Sequence, residues 1–388
     1  TSPCCDHHAN QAVELLFAKA AEDPPDIWAP HPSPFVRRLI ELFTQRGLDR
    51  IGKFQLELAK WLDGDMFRDG ERPPAPPPGH VQRWTTGELA LAKLYLETLP
   101  PDQFTADDWV MAVEYLAQRY FPPDQLWLEA EWLVAKANIM GRVQARMAEV
   151  SEAQADRLLA AAPSTLAGSL RVLGAPPVQS AIMQYGRARC AENIVTVTGA
   201  LRQSVKQTVL AYQQAKILGD AGAQSRMETA LFDRFATANT DWRRIAVTEA
   251  GEMANQGLIA AVGPGGRVKR VEQYQGACSF CRKIDGMEFD VISPKDAAGA
   301  DPWKAVWVGK VNVGLSAAPR KRVDGALVDR DPSEMWTPAA GTQHPFCRGT
   351  WIPQKETNTA KDDEFARLKS TEMASGVKSR PAGQGIGL

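Results

Sequence analysis

The chain has 388 residues, 44% of them hydrophobic and 23% charged, with 45 Lys and Arg against 46 Asp and Glu. That length predicts two or three structural units rather than one average domain. A formal net charge of −1 excludes a protein coated in basic charge for non-specific nucleic-acid binding, although it allows a local basic patch.

No apolar run reaches the roughly 18 residues of a membrane helix, so no membrane span is expected. No basic-then-apolar signal segment opens the sequence, and Thr1 is consistent with a removed initiator Met. The first helix is expected over Gln11 to Glu22, where Val13, Leu15, Leu16 and Ala20 fall at helical spacing. Ser33-Pro34 reads as an N-cap followed by Pro at the first helical position. The helix behind it carries Phe35, Leu39, Ile40 and Phe43. A separate helix is expected from about Leu48 to Leu62, with Ile51, Phe54, Leu58 and Trp61 on one face. The stretch Glu71-Arg-Pro-Pro-Ala-Pro-Pro-Pro-Gly79 predicts an extended polyproline spacer.

From Thr86 the chain is helical again. Thr105-Ala-Asp-Asp108 has the form of a capping box with Asp at its end. The helix behind it buries Trp109, Val110, Val113, Leu116 and Tyr120. Pro123-Asp124 opens a long helix through Leu126, Leu128, Trp132, Leu133, Ala137 and Ile139. Another is expected from Pro177 to about Leu218; it is poor in large apolar residues, so it packs loosely, spans a distance or lies in an oligomer interface. The last strong helix runs from Asp241, as its cap, to Val262, and Gly263-Pro264-Gly265-Gly266 stops it. Beyond that point Val268 to Tyr274, Glu288 to Ile292 and Trp303 to Val313 read as short strands. From about Lys355 the chain is polar and reads as an extended or disordered tail.

The residues with chemistry lie in the mixed region. Cys278-Ser-Phe-Cys281 and His344-Pro-Phe-Cys347 are two pairs of metal-ligand type. Each pair reaches one ion from a tight turn, and Cys278, Cys281, His344 and Cys347 together make a closed Cys₃His shell of the kind that holds structural zinc. Such a staple would hold a loop-rich region that lacks a large core of its own. A redox pair, a disulfide and unrelated core thiols are the alternatives. A catalytic zinc would keep an open position. Cys4, Cys5, His7 and His8 could form an adventitious metal site or a plain disordered end. His31 and His80, among prolines, read as surface residues. Glycine-rich phosphate loops and internal repeats are not visible.

The expected fold is mainly α, with an elongated helical N-terminal part and a small zinc-stapled α+β domain near the C-terminus. The expected boundaries are a helical arm over 1–70, a Pro-rich linker over 71–80, an α-helical domain over 81–240, the α+β domain over 241–354 and the tail over 355–388.

Three ordered segments carry a resemblance to a family. The first is Ile245-Ala-Val-Thr248-Glu249 followed by Ala254-Asn255-Gln-Gly257. The second is Cys278-x-x-Cys281 with Ile284-Asp285-Gly286. The third is Trp336-Thr-Pro338 with His344-Pro345-x-Cys347-Arg348. In this order they resemble the phage Mu protein F-like minor head proteins, the phage head morphogenesis family, over Asp241 to Pro353. The family's closing Cys is Gly349 here.

The resemblance implies a non-enzymatic minor capsid protein of the virion. It would be made in the host cytoplasm and placed inside the head at the portal, assisting head assembly, DNA packaging or ejection. The implied partners are the portal protein, the major capsid or scaffold protein, and packaged DNA. Thr248, Glu249, Asn255 and Gly257 would have structural roles, with Glu249 pairing to Arg243 or Arg244 or bonding to the domain beneath. Two rivals remain. One is a phage-delivered effector enzyme, although the deaminase signature, a His-x-Glu or Cys-x-Glu ahead of Pro-Cys-x-x-Cys, does not occur: Ala277 stands before Cys278. The other is a zinc-containing DNA-binding protein that uses Arg267, Lys269, Arg270, Arg282, Lys283, Arg320, Lys321, Arg322 and Arg348 on phosphates. Of these, Arg320, Lys321 and Arg322 are the sharpest candidates for DNA contact.

Overall fold

A computed structural model of the chain describes residues 31–79, 83–147, 150–174, 176–272 and 277–354. The helix expected at 11–22, the Cys4, Cys5, His7 and His8 group, His80 and the expected tail from 355 lie outside these residues. The described chain is mainly helical, with a small sheet-containing C-terminal region.

Ser33 caps helix α1 (Pro34–Asp63), its hydroxyl accepting from the Val36 amide. The sequence suggested two helices here; α1 is continuous because Gly47, at the expected break, stays helical. A side chain at Gly47 would overlap the Trp242 indole, and that indole instead donates to Phe43 O at 3.1 Å. Phe35, Leu39, Phe43, Phe54 and Leu58 of α1 enter the same core as the later helices. Over residues 34–63, therefore, the expected arm is part of the helical body. The prolines after it form no regular element, and Trp84 closes over their end, donating to Pro77 O at 2.7 Å.

Capping boxes start α2 (Thr86–Glu97), α3 (Ala106–Tyr120) and α5 (Glu152–Ala161). Between the last two lies α4 (Pro123–Gln144), buried along much of its length. α6 (Leu166–Leu173) leads into α7 (Pro177–Ile217), which sets Met183, Cys190, Ile194, Leu201, Val205 and Val209 on one buried stripe. α8 (Ala223–Val262) runs unbroken through the start expected at Asp241. No Gly or Pro interrupts it there, and Asp241 pairs with Arg244 as an ordinary mid-helix residue.

α8 crosses α4 at backbone contact. A Cβ at Gly257 would lie 2.9 Å from the carbonyl carbon of Asn138, and one at Gly141 would lie 2.6 Å from that of Ala254. Glycine is required at both positions because backbone fills the space a side chain would take.

After Gly263 the chain forms a four-stranded sheet in the order β3-β2-β1-β6, made of β1 (Arg267–Val271), β2 (Glu288–Val291), β3 (Ala305–Val306) and β6 (Thr350–Pro353). β1 is antiparallel to β2 and to β6, placing Arg270 opposite Trp351 and Val271 opposite Thr350. Val268, Phe289, Val291, Val306 and Trp351 pack beneath Leu258 and Ile259 of α8. The strand expected over 303–313 shortens to two residues, because Gly309 at φ 92° turns the chain. Between the two Cys/His pairs, where the long insertion allowed an extra hairpin or a contact loop, the chain forms a hairpin of β4 (Arg320–Val323) and β5 (Ala326–Asp329) that turns at Asp324 and Gly325, both at positive φ.

Candidate metal centre

The first Cys pair is set by a one-turn-and-a-half helix, α9 (Ser279–Ile284). Cys278 caps it, its Sγ accepting from the Cys281 amide at 3.4 Å. This turns both sulfurs to one side while Cys281 goes into the interior. The second pair lies on the loop from Gly341 to Gly349, where Phe346 at φ 64° reverses the backbone and the Cys347 amide donates to His344 O at 3.1 Å.

That loop is fastened to α8 at three points. The Phe346 amide donates to Thr248 Oγ1 at 3.1 Å, and the Thr342 amide donates to Glu252 Oε2 at 2.7 Å. The Asn255 side-chain amide donates to Gly349 O at 2.8 Å, and its carbonyl accepts from Thr350 Oγ1. Thr248 and Asn255 therefore position the loop that carries two of the expected ligands. Gly257 fits α8 against α4, as described above. Glu249 faces another way. It is buried and accepts from Arg189 Nε and NH2 and from Asn193, all on α7. Of the alternatives for Glu249, a pair within its own helix gives way to one with a neighbouring helix: its partner is Arg189, not Arg243 or Arg244.

Cys278, Cys281 and His344 place their donor atoms within 4.8 Å of one another. His344 Nε2 is 3.4 Å from Cys278 Sγ and 3.3 Å from Cys281 Sγ. Zinc bonds of about 2.3 Å to sulfur and about 2.0–2.1 Å to nitrogen set such a pair roughly 3.5 Å apart in a tetrahedron, so the spacing fits an ion at their centre. His344 Nδ1 is 2.7 Å from Pro345 O, which fixes that nitrogen as the N–H and leaves the Nε2 lone pair for a metal. The Trp336 ring stacks on the imidazole at 6.2 Å and 10° and holds its plane.

Cys347 meets this group through Cys281. Glu272, Cys281 and Cys347 form a second set of donors within 4.8 Å of one another, all buried. The hydrogen bond from Cys281, and then the nearby Arg270 charge, hold the Cys347 thiol well below its usual range, against the effect of burial. Arg270 and Glu272 are an ion pair with no exposed side-chain surface. Arg270 Nε donates to Glu272 Oε1 at 2.7 Å, NH1 to Gly341 O at 3.2 Å, and NH2 lies 3.6 Å from Cys347 Sγ. The guanidinium also lies over the Trp351 ring, 4.8 Å from its centroid. A side chain at Gly349 would overlap the Glu272 carboxylate. The four expected ligands are thus gathered around Cys281, and they could hold a metal ion.

The sequence placed His31 at the surface, but it is 3% exposed. Its Nδ1 accepts from the Ser33 amide at 3.1 Å, and its Nε2 lies near Gly251 of α8. Burial, then Arg270 and Arg348, lower its pKa to about 3, so the ring is neutral.

The basic residues do not form one free face. Arg270 and Arg348 are buried, and Arg267 pairs with Glu288 and Asp290. On the hairpin, Arg320 pairs with Asp329 and Lys321 with Glu334, while Arg322 donates to Gly325 O.

Compared with protein families, curated proteins and solved structures, the chain has no match.

Glu272, Glu252 and Thr342 were not visible as site residues in the sequence, and Arg270 appeared there only among the candidate phosphate contacts. The one signal was Arg270 and Glu272, opposite charges two residues apart at the end of a strand. That spacing places them on the same side.

Proposed function

We propose that the chain is a bacteriophage minor head protein that acts at the portal during head assembly, DNA packaging or ejection. In this reading it is not an enzyme. A structural zinc ion held by Cys278, Cys281, His344 and Cys347 closes its C-terminal region. It sits in the head interior and meets the portal protein, with the capsid or scaffold protein and packaged DNA as further neighbours. One observation carries the reading. The three motif segments are far apart in sequence, yet their residues meet: Thr248 and Asn255 of the first hold the loop of the third, whose His344 meets Cys278 and Cys281 of the second. With Cys347 drawn in beside Cys281, four protein donors would complete a tetrahedral shell, which is the arrangement of a structural rather than a catalytic ion. The acidic partners of Arg320 and Lys321 make DNA the weaker of the proposed contacts.

Two measurements test this. Purified protein should contain about one zinc per chain, and the C278S/C347S double variant should contain none. Co-expressed with the portal protein of the encoding phage, the chain should co-sediment with assembled portals. Metal-loaded, folded protein that never co-sediments would refute the portal role while leaving the metal centre standing.

A further inference from the structure

The cluster around Cys281 has more donors than one ion uses. Cys278, Cys281 and His344 make one group of three, and Glu272, Cys281 and Cys347 make another, with Cys281 common to both. A thiolate carries lone pairs enough to bridge two metal ions, so this is the donor arrangement of a two-ion site. Resting on the metal reading above, we propose that the guanidinium of Arg270 stands in for the second cation. It restricts the centre to a single ion and keeps Glu272 out of the metal's shell.

The geometry supports this at two donors of the second group, Glu272 and Cys347. Arg270 takes Glu272 through both Nε and NH2, and the same NH2 lies 3.6 Å from Cys347 Sγ. The guanidinium is fixed from two further sides, by Gly341 O and by the face of Trp351. The carboxylate is held in turn by the space at Gly349, where any side chain would displace it. Both side chains are fully buried, so water does not screen them and their charges must balance locally.

The charge count leaves the centre one charge from neutral. Three thiolates and one carboxylate carry four negative charges. One divalent ion with the guanidinium leaves one of these uncompensated. A second divalent ion beside Arg270 would overshoot and would press three cations together. Without Arg270, one ion would leave two buried negative charges, and a second ion would cancel them. Arg270 is a positioning residue in this scheme, since it touches two donors and not the ion.

The test is cobalt(II) titration of the full chain, reading stoichiometry together with the thiolate-to-cobalt and d–d absorption bands. Wild type is expected to take one ion, the R270M variant two, and R270M/E272Q one. R270K, which keeps a cation, is expected to return to one. One ion in R270M, or two in wild type, would overturn the proposal. Should R270M not fold, E272Q alone decides. Its cobalt spectrum is expected to equal that of wild type, and a spectrum showing the loss of an oxygen donor would overturn the proposal. A wild-type chain that binds no cobalt would overturn the metal reading and this one together. One ion in both wild type and R270M would sink only this one.

Discussion

Replacing Gly257 with Ala tests how closely α8 and α4 approach. In an open helical position the change would be favourable by about 1 kcal/mol, because Gly is the poorer helix former. At Gly257 the new Cβ would lie 2.9 Å from the Asn138 carbonyl carbon, and closer still to its oxygen. Carbon contacts settle at about 3.5–4.0 Å. Both obstacles are backbone, so no rotamer change relieves them and the helix axes must part by roughly 0.5–1 Å. A gap of that size forfeits a quarter to a half of each lining contact, and overpacking of this kind costs about 1–3 kcal/mol or more. Because backbone cannot give way, the overpacking here is expected above that range, at about 3–5 kcal/mol, and the helix-propensity gain of about 1 kcal/mol leaves a net loss of about 2–4 kcal/mol.

An unfolding entropy of about 2.1 cal/mol/K per residue over roughly 300 residues turns ~3 kcal/mol into a fall in Tm of about 5 °C. Gly52 and Gly199 are helical, and a Cβ at either would meet nothing within 4 Å. As controls, their Ala variants should gain up to about 1 kcal/mol. Urea unfolding of the three variants measures both signs. A G257A protein stabilised like G52A would refute the backbone contact.

Three further outcomes are expected. The pKa of His31 is lowered from 6.5 to about 3, so its neutral ring stabilises the fold above pH 6.5. That contribution is lost as pH falls from 6.5 towards 3, by about 1.4 kcal/mol per unit. The H31Q variant should therefore lose less stability than wild type between pH 6.5 and 4.5 in urea melts, and equal slopes would disprove the assignment. E249A should cost about 3–5 kcal/mol by leaving Arg189 without its buried carboxylate, whereas R189M/E249L should recover much of it. A chemical-denaturation cycle reads the difference, and additive losses would rule out the pairing. T248V removes the acceptor for the Phe346 amide and should weaken zinc about 10- to 100-fold by chelator competition. Unchanged affinity would show that the loop holds its shape without α8.

The sequence revealed helices where apolar spacing or a cap marked them, as at Ser33-Pro34 and Thr105. It missed joins and depths. Two helices were expected where α1 is one, because the Trp242 ring that occupies the space at Gly47 comes from another helix. His31 read as exposed because its burial depends on α8 and on charges brought by Arg270 and Arg348. The two Cys/His pairs were legible because their spacing is local. Glu272 was not, because it becomes a neighbour of Cys347 only through the pairing of Arg270 with Trp351 and of Val271 with Thr350. The hairpin at Asp324-Gly325 carried a local turn signal that its charged strands obscured.

α8 is 40 residues of uninterrupted helix, about 60 Å in length. One end forms a hairpin turn with α7, and the other carries Thr248, Glu252 and Asn255 beneath the ligand loop. Between them Trp242 is seated in the space at Gly47 of α1. Packed against α7 and α4 along its length and held at Gly47 of α1, α8 ties the hairpin turn, the helical body and the loop of His344 and Cys347 into one stiff element.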